Sequence, residues 1–343
     1  HGLWPDSPIF ALLFDPAKTP AFAHADVHTS FLERLPFGRR KYQWYLPLMP
    51  TATEHFDLTP YDVIVSSTSA FAKGVLTRHD ALHICYCHTP TRYLWSDTHS
   101  YIQELRVPRL IKRLLPPILS WLRVWDKSAA DRVDVFVANS QTVRRRIQKY
   151  YRRDAHVIHP PVDTQRFSIS GEPKTYFLTG GRLVAYKRYD LVIQAANRLG
   201  VPLTVFGTGP VEGDLRQMAK SNVEFVGRVT GEEQARLYAQ ARAFIHPQEE
   251  DFGITPVESM AAGRPVIAWK KGGATETVVE GLSGTFIEEQ TWEEIADAML
   301  RFDDRAWDPV AIKAHAEQFS HARFQRQMRE FVQEQWEAYQ KRV

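Results

Sequence analysis

Two acids eight positions apart bracket the stretch Glu250-Asp251-Phe252-Gly253-Ile254-Thr255-Pro256-Val257-Glu258. Phe252-Gly253 reads as a turn, and Pro256 fits the first turn of a helix running to Ala262. A helix start offers unpaired N–H groups and partial positive charge, which suit phosphate. Glu250 precedes the helix and Glu258 lies about two turns further on. Their carboxylates can accept hydrogen bonds from hydroxyls at opposite ends of one extended ligand. A second stretch, Thr179-Gly180-Gly181-Arg182-Leu183-Val184-Ala185-Tyr186-Lys187-Arg188, sets Arg182 and Lys187 after a glycine turn. Two cations there can hold a leaving diphosphate. Taken singly, each stretch has a plainer reading: a capped helix with solvated acids, and a solvated basic loop. Together they match the needs of a nucleotide sugar, which asks for cations and amides at its diphosphate and for carboxylates at its hydroxyls.

Both stretches must follow strands. Strand-like runs are Tyr61–Ser66, Leu82–Cys87, Val133–Ala138, His156–His159, Thr175–Thr179, Leu203–Phe206, Val223–Val226, Ala243–His246 and Pro265–Ala268. Helical patterns lie between them, including Tyr189–Leu199, Val211–Ala219, Glu232–Ala239 and Pro256–Ala262. Such alternation implies parallel sheets covered by helices on both faces. The Pro- and Gly-containing stretch Pro160–Glu172 reads as a linker. It divides a first domain, 1–165, from a second, 166–320. A last helix within 321–343 either returns to the first domain or stays on its own. Ligands bind such sheets at the carboxyl ends of their strands.

The chain of 343 residues suffices for two cores. Its 44% hydrophobic and 24% charged residues are ordinary for a globular protein, and no apolar run is long enough to span a bilayer. The start, His1-Gly2-Leu3-Trp4, lacks a secretory signal. The only cysteines, Cys85 and Cys87, are too close in sequence to pair. A cytoplasmic chain without disulfides is expected. His83, Cys85, Cys87 and His88 could be imagined as metal ligands, but a buried strand explains them better. No Asp-x-Asp occurs, and no metal is expected.

At this point the residues resemble a known family. Glu250…Glu258 followed by Met260-Ala-Ala-Gly-Arg-Pro-Val-Ile267 is similar to the retaining GT-B glycosyltransferases of family 4. So are Gly180-Gly-Arg182…Lys187, Phe206-Gly-Thr-Gly-Pro210, Phe225-Val-Gly-Arg-Val229, Cys87-His-Thr-Pro-Thr-Arg-Tyr93, Ala138-Asn-Ser-Gln141 and His159-Pro-Pro-Val-Asp163. The sub-group resembled is the bacterial mannosyltransferases of O-antigen and exopolysaccharide synthesis. The resemblance implies a GT-B fold, two Rossmann-like domains facing a cleft. It implies GDP-mannose as donor and a saccharide acceptor carried on a lipid. It assigns Glu250 to the donor sugar's hydroxyls, and Gly181 with the backbone N–H groups of Phe252, Gly253 and Ile254 to sugar and phosphates. Glu258 goes to the ribose, Arg182 and Lys187 to the diphosphate, Arg228 and Val229 to the base, and His88 to the transferred sugar.

The opening His1–Phe10 departs from the family pattern, because a first strand and a Gly-rich loop are not apparent. Charge is uneven: residues 1–165 carry a net +6 and residues 166–343 a net −3. Leu105–Trp125 holds five cations, no acid and an apolar stripe around a Pro116-Pro117 break. Arg144–Arg153 holds six cations. These suit peripheral attachment to anionic lipid at the inner face of a membrane, or a solvated basic face. Nucleic acid is not expected, since no recognition motif accompanies the charge. Alternative readings are a UDP-sugar-dependent transferase, a nucleotide-sugar epimerase, and an inactive nucleotide-binding protein of the same fold.

Overall fold

The computed structural model describes residues 2–99, 102, 109–171 and 175–342. Its strands are β1 Ile9–Ala11, β2 Val27–Thr29, β3 Val63–Thr68, β4 Leu82–Cys87, β5 Val135–Ala138, β6 His156–Val157, β7 Tyr176–Gly180, β8 Leu203–Phe206, β9 Val223–Gly227, β10 Ala241–His246, β11 Val266–Trp269 and β12 Gly284–Ile287. The chain divides into two compact units. One comprises residues 1–158 and 325–343, the other residues 159–324.

The division falls at the start of the Pro160–Glu172 stretch, several residues before position 165. The reason is hydrogen bonding within the second unit. Val162 N–H donates to Phe319 O at 2.8 Å, and Thr164 Oγ1 donates to Glu317 Oε2 at 2.9 Å. The last helix, His321–Gln340, is shared out at Phe324. Its later part is held in the first unit, with Phe331 against His156 at 4.8 Å between ring centres and Tyr339 OH donating to His79 O at 3.0 Å.

In the second unit all six strands are parallel, in the order β12-β11-β10-β7-β8-β9. The period-2 alternation of strand side chains sorts the core onto two faces. Leu178, Phe206, Phe244, Val266 and Ala268 pack with the Ile254–Ala261 helix through Val257 and Met260. Phe177, Val205, Ala243, Ile245 and Ile267 pack on the other face with Leu191, Val192 and Ile193 of the Tyr189–Leu199 helix. Two covered faces explain why these strands read as apolar runs rather than alternating ones. β12 escaped the sequence reading because Gly284-Thr285-Phe286-Ile287 is a short, half-buried edge strand opening on glycine.

The first unit holds a parallel pair, β1-β2, and a parallel sheet, β3-β4-β5-β6. All six residues of β4 are buried. Cys85 and Cys87 are free thiols packed with Phe136, Val143 and Ile147. His83 Nε2 meets Ser66 Oγ at 2.8 Å, and His88 Nε2 meets Ser67 Oγ at 2.9 Å.

The expected break at Pro116-Pro117 is corrected: one helix runs from Arg109 to Asp131 through both prolines. Proline forfeits a helical hydrogen bond, yet the later turns are anchored strongly enough to keep the helix whole. Leu119 and Leu122 are fully buried. Asp126 accepts from Lys73 Nζ at 2.5 Å and from Thr91 Oγ1, Trp95 Nε1 and Tyr151 OH, each at 2.8 Å. Of the Leu105–Trp125 stretch, residues 105–108 lie outside the described residues.

Two buried imidazoles make the fold sensitive to acid. Burial, and then Arg132, pushes His83 down to about 4. Burial, and then Lys187, pushes His246 down to about 3. A depressed folded value means the contribution is present above the unfolded value near 6.5 and is lost as pH falls toward 4 and then 3. The urea midpoint should therefore fall steadily from about pH 6.5 to 4.5, before most carboxylates titrate. A flat profile across that window contradicts this.

Candidate functional site

The strand order of the second unit reverses between β7 and β10. From β7 the chain proceeds to β8 on one side, and from β10 to β11 on the other. A crevice opens at the carboxyl ends of such a pair. Thr179 Oγ1 donates to Ile245 O at 2.9 Å, which fixes the two ends side by side. The Gly181–Lys187 loop leaves one end and the Pro247–Gly253 loop leaves the other.

Two glycines let these loops approach their neighbours. A Cβ on Gly207, where φ is 102°, would stand 1.7 Å from Gly181 O. One on Gly273 would stand 2.3 Å from Phe252 Cα, while Gly273 N–H donates to Glu250 O at 2.8 Å. Only glycine fits such close backbone contact. Gly207 lies in the Phe206–Pro210 motif, but neither its approach to Gly181 nor that of Gly273 to Phe252 is visible in sequence, since neither glycine lies in the loop it serves.

Lys187 and Glu250, far apart in sequence, meet at 3.2 Å, with side chains 15% and 19% exposed. Tyr186 OH lies 3.4 Å from the same carboxylate oxygen. Beyond Glu250 the chain turns at Gly253 (φ 86°) into the Ile254–Ala261 helix. The backbone N–H groups of Phe252, Gly253 and Ile254 find no acceptor among the described residues. They are a helix start open to an anion. Arg182 is exposed and makes no ion pair among the described residues. Arg228 is exposed, whereas Val229 is half-buried against the core.

Glu258 is buried and fully engaged. Arg166 Nη2 donates to Oε1 at 2.9 Å, Gln234 Nε2 to Oε2 at 2.9 Å, and Tyr238 OH to Oε2 at 3.2 Å. Burial raises its carboxyl above the usual 4.5, and Arg166, Tyr238 and Gln234 oppose that rise. Arg166 went unpredicted: it lies 92 positions from Glu258, and no local pattern links them. Arg264, within the motif after Glu258, is structural. Its buried guanidinium donates from Nε to Ala239 O at 2.9 Å and from Nη2 to Ser170 O at 3.0 Å.

His246 at the end of β10 and Gln248 two residues beyond it are fully buried, and among the described residues neither ring nitrogen of His246 has a hydrogen-bond partner. Such groups are rare in native interiors and mark a polar niche beside Lys187. His88 lies in the first unit, exposed at the carboxyl end of β4, its ring edge-on to Tyr86 at 5.3 Å. Among the described residues there is no cluster of metal-ligating side chains, and no helix long and apolar enough to cross a membrane.

Fold and site thus define a doubly wound α/β protein in whose second unit Lys187, Glu250 and a helix start meet at the carboxyl ends of β7 and β10. Residues 11–166 match Glycosyltransferase Family 4, and residues 162–318 match Glycosyl transferases group 1. The chain therefore carries a family 4 domain followed by a group 1 glycosyltransferase domain. Among curated relatives, the O-antigen chain mannosyltransferase C of Escherichia coli is 29% identical over 178 residues, 48% of this chain and 47% of the relative. A GDP-mannose-dependent monoacylated alpha-(1-6)-phosphatidylinositol monomannoside mannosyltransferase of Corynebacterium glutamicum is 29% identical over 221 residues, 54% of this chain and 58% of the relative. The chain thus spans about half the length of these relatives. The solved structure of Anabaena HepE in complex with UDP superposes with a TM-score of 0.70 at 18% identity, covering 95% of this chain and 92% of that one. The fold is that of GT-B glycosyltransferases.

Glu258 sets up a conflict between stability and site chemistry. A folded value above the unfolded one favours the native state at low pH, and that benefit is lost as pH rises through it. Ionised Glu258 therefore costs stability at neutral pH. Glu258→Gln should raise the melting temperature at pH 7.5 by about 2 °C, with the gain shrinking toward pH 4.5. A lower melting temperature at pH 7.5 contradicts this.

Proposed function

We propose that the protein is a retaining glycosyltransferase that moves mannose from GDP-mannose to a hydroxyl of a lipid-linked saccharide. The observation that carries this reading is the meeting of Lys187, Glu250 and the open helix start beside Phe252 at the β7/β10 switch point. The mannosyltransferase names of the relatives support the choice of donor. In this reading the diphosphate lies along Gly181, Arg182, Lys187 and the N–H groups of Phe252 to Ile254. Glu250 accepts from the sugar hydroxyls, Glu258 from the ribose, and Arg228 and Val229 border the base. His88 serves the transferred sugar.

The bond from the anomeric carbon to the phosphate oxygen breaks as the acceptor oxygen bonds to the same carbon on the same face. The acceptor proton passes to the departing phosphate. The protein contributes positioning and stabilisation of the growing phosphate charge, by Arg182 and Lys187 in place of a metal. The chain works at the cytoplasmic face of a membrane, with Leu105–Trp125 and Arg144–Arg153 toward anionic lipid. A UDP-sugar donor is the second reading, favoured by the UDP bound in the HepE structure.

Calorimetry with GDP and UDP, followed by turnover of GDP-mannose, tests this. GDP should bind, and Glu258→Ala should weaken it by about tenfold or more, the loss of hydrogen bonds to a charged acceptor. Glu250→Ala should leave GDP affinity within about threefold while abolishing transfer, since it loses only contacts to the sugar. Binding of UDP alone moves the assignment to the second reading. Binding of neither nucleotide, or GDP affinity indifferent to Glu258→Ala, contradicts the proposal.

A further inference from the structure

Four large apolar side chains stand out of the first unit between positions 37 and 48. Phe37 is 61% exposed, Tyr42 44%, Trp44 65% and Leu48 42%. They are not a loose loop. Tyr42–Leu48 forms a 3-10 turn, and Leu35, Tyr45 and Leu46 pack beneath it against the cluster of Leu32, Met49, Leu119 and Leu122. The exposed ring of Phe37 is held at a backbone cost. Its φ of 58° lies in the left-handed region, an outlier for a bulky residue. Strain of this kind persists where the surroundings enforce it and often marks a working surface.

The charges of the segment have one sign. Between Arg34 and Thr53 the sequence holds Arg34, Arg39, Arg40 and Lys41 and no acid. Lys41 Nζ sits 4.1 Å from the centre of the Trp44 ring and 5.7 Å from that of Phe37. Arg39 pairs with Glu33. The helix packed on the same cluster, Arg109–Asp131, exposes Leu114, Trp121 and Val124 on the unit's surface. Aromatic rings with apolar body and polar edge, set among cations with long stems, have the composition of a bilayer interface. With cations and no acid between Arg34 and Thr53, the segment's charge is complementary to an anionic surface.

We infer that Phe37, Tyr42, Trp44 and Leu48, with Arg40 and Lys41, form a docking surface for an anionic phospholipid bilayer. The rings enter the headgroup layer and the cations meet lipid phosphates. This deepens the proposed function, on whose membrane-borne acceptor it rests. It adds a further lipid-facing segment to the basic stretches Leu105–Trp125 and Arg144–Arg153.

Vesicle flotation tests it, using phosphatidylglycerol mixed with phosphatidylcholine and phosphatidylcholine alone. The full chain should float with the anionic vesicles and little with the neutral ones. Phe37→Ser with Trp44→Ser should cut partitioning by about tenfold, and Lys41→Ser by about fivefold. GDP affinity and circular dichroism should stay unchanged. Flotation unaffected by these substitutions but lost on Arg145→Ser with Arg152→Ser overturns the inference and leaves the membrane reading standing. No flotation of the parent chain overturns both, while GDP binding tests the donor site separately. A dimer in sedimentation velocity that Phe37→Ser with Trp44→Ser dissociates, without effect on flotation, overturns it in favour of a contact between two copies.

Discussion

The side-by-side placement of β7 and β10 is the constraint on which the candidate site depends. Their register, with Phe244 opposite Leu178, and the Thr179 hydroxyl bound to Ile245 O bring two loop origins together at the carboxyl end of the sheet. Because succeeding strands lie on opposite sides, no crossover covers that end. Lys187 and Glu250 are then close without any sequence proximity. The Ile254–Ala261 helix points its open start into the same region, held there by Val257 and Met260 in the core. Packing and chemistry are thus coupled: the residues that bury the helix also aim it.

Glu258 shows the cost of that coupling. Its position within the helix buries it, and burial opposes its charge. Three donors from two other elements compensate in part: Arg166 from the Thr164–Arg166 turn, and Gln234 and Tyr238 from the Gly231–Gln240 helix. A carboxylate meant only for stability would sit more cheaply at the surface. Retaining it in this place is consistent with a ligand that needs an ionised acceptor there. His246, the last residue of β10, and Gln248 just beyond it add buried polar atoms at the end of the same pair of strands.

Much of this was legible in the sequence, and for definite reasons. The Tyr189–Leu199 helix and the strands Leu82–Cys87 and Leu203–Phe206 have the expected bounds, because glycine, proline or a polar switch marks their ends. Glu250, Lys187 and the helix start were readable because each lies in the stretch that follows a recognisable strand. Contacts made across the fold were not readable. Arg166 reaches Glu258 from another element, and Gly207 and Gly273 serve loops to which they do not belong. The prolines at 116 and 117 misled, since local propensity predicts a break and the tertiary anchors at Leu119, Leu122 and Asp126 override it. The boundary near 165 differed because turn residues mark where a chain bends, not where its hydrogen bonds lead.

A crystal structure of the protein grown with GDP is the most direct measurement of the central claim. The diphosphate should lie within hydrogen-bond reach of Lys187 and of the backbone N–H groups of Phe252 to Ile254, with the ribose hydroxyls on Glu258. Nucleotide bound away from the carboxyl ends of β7 and β10, or a ribose that leaves the Glu258 carboxylate untouched, would contradict it.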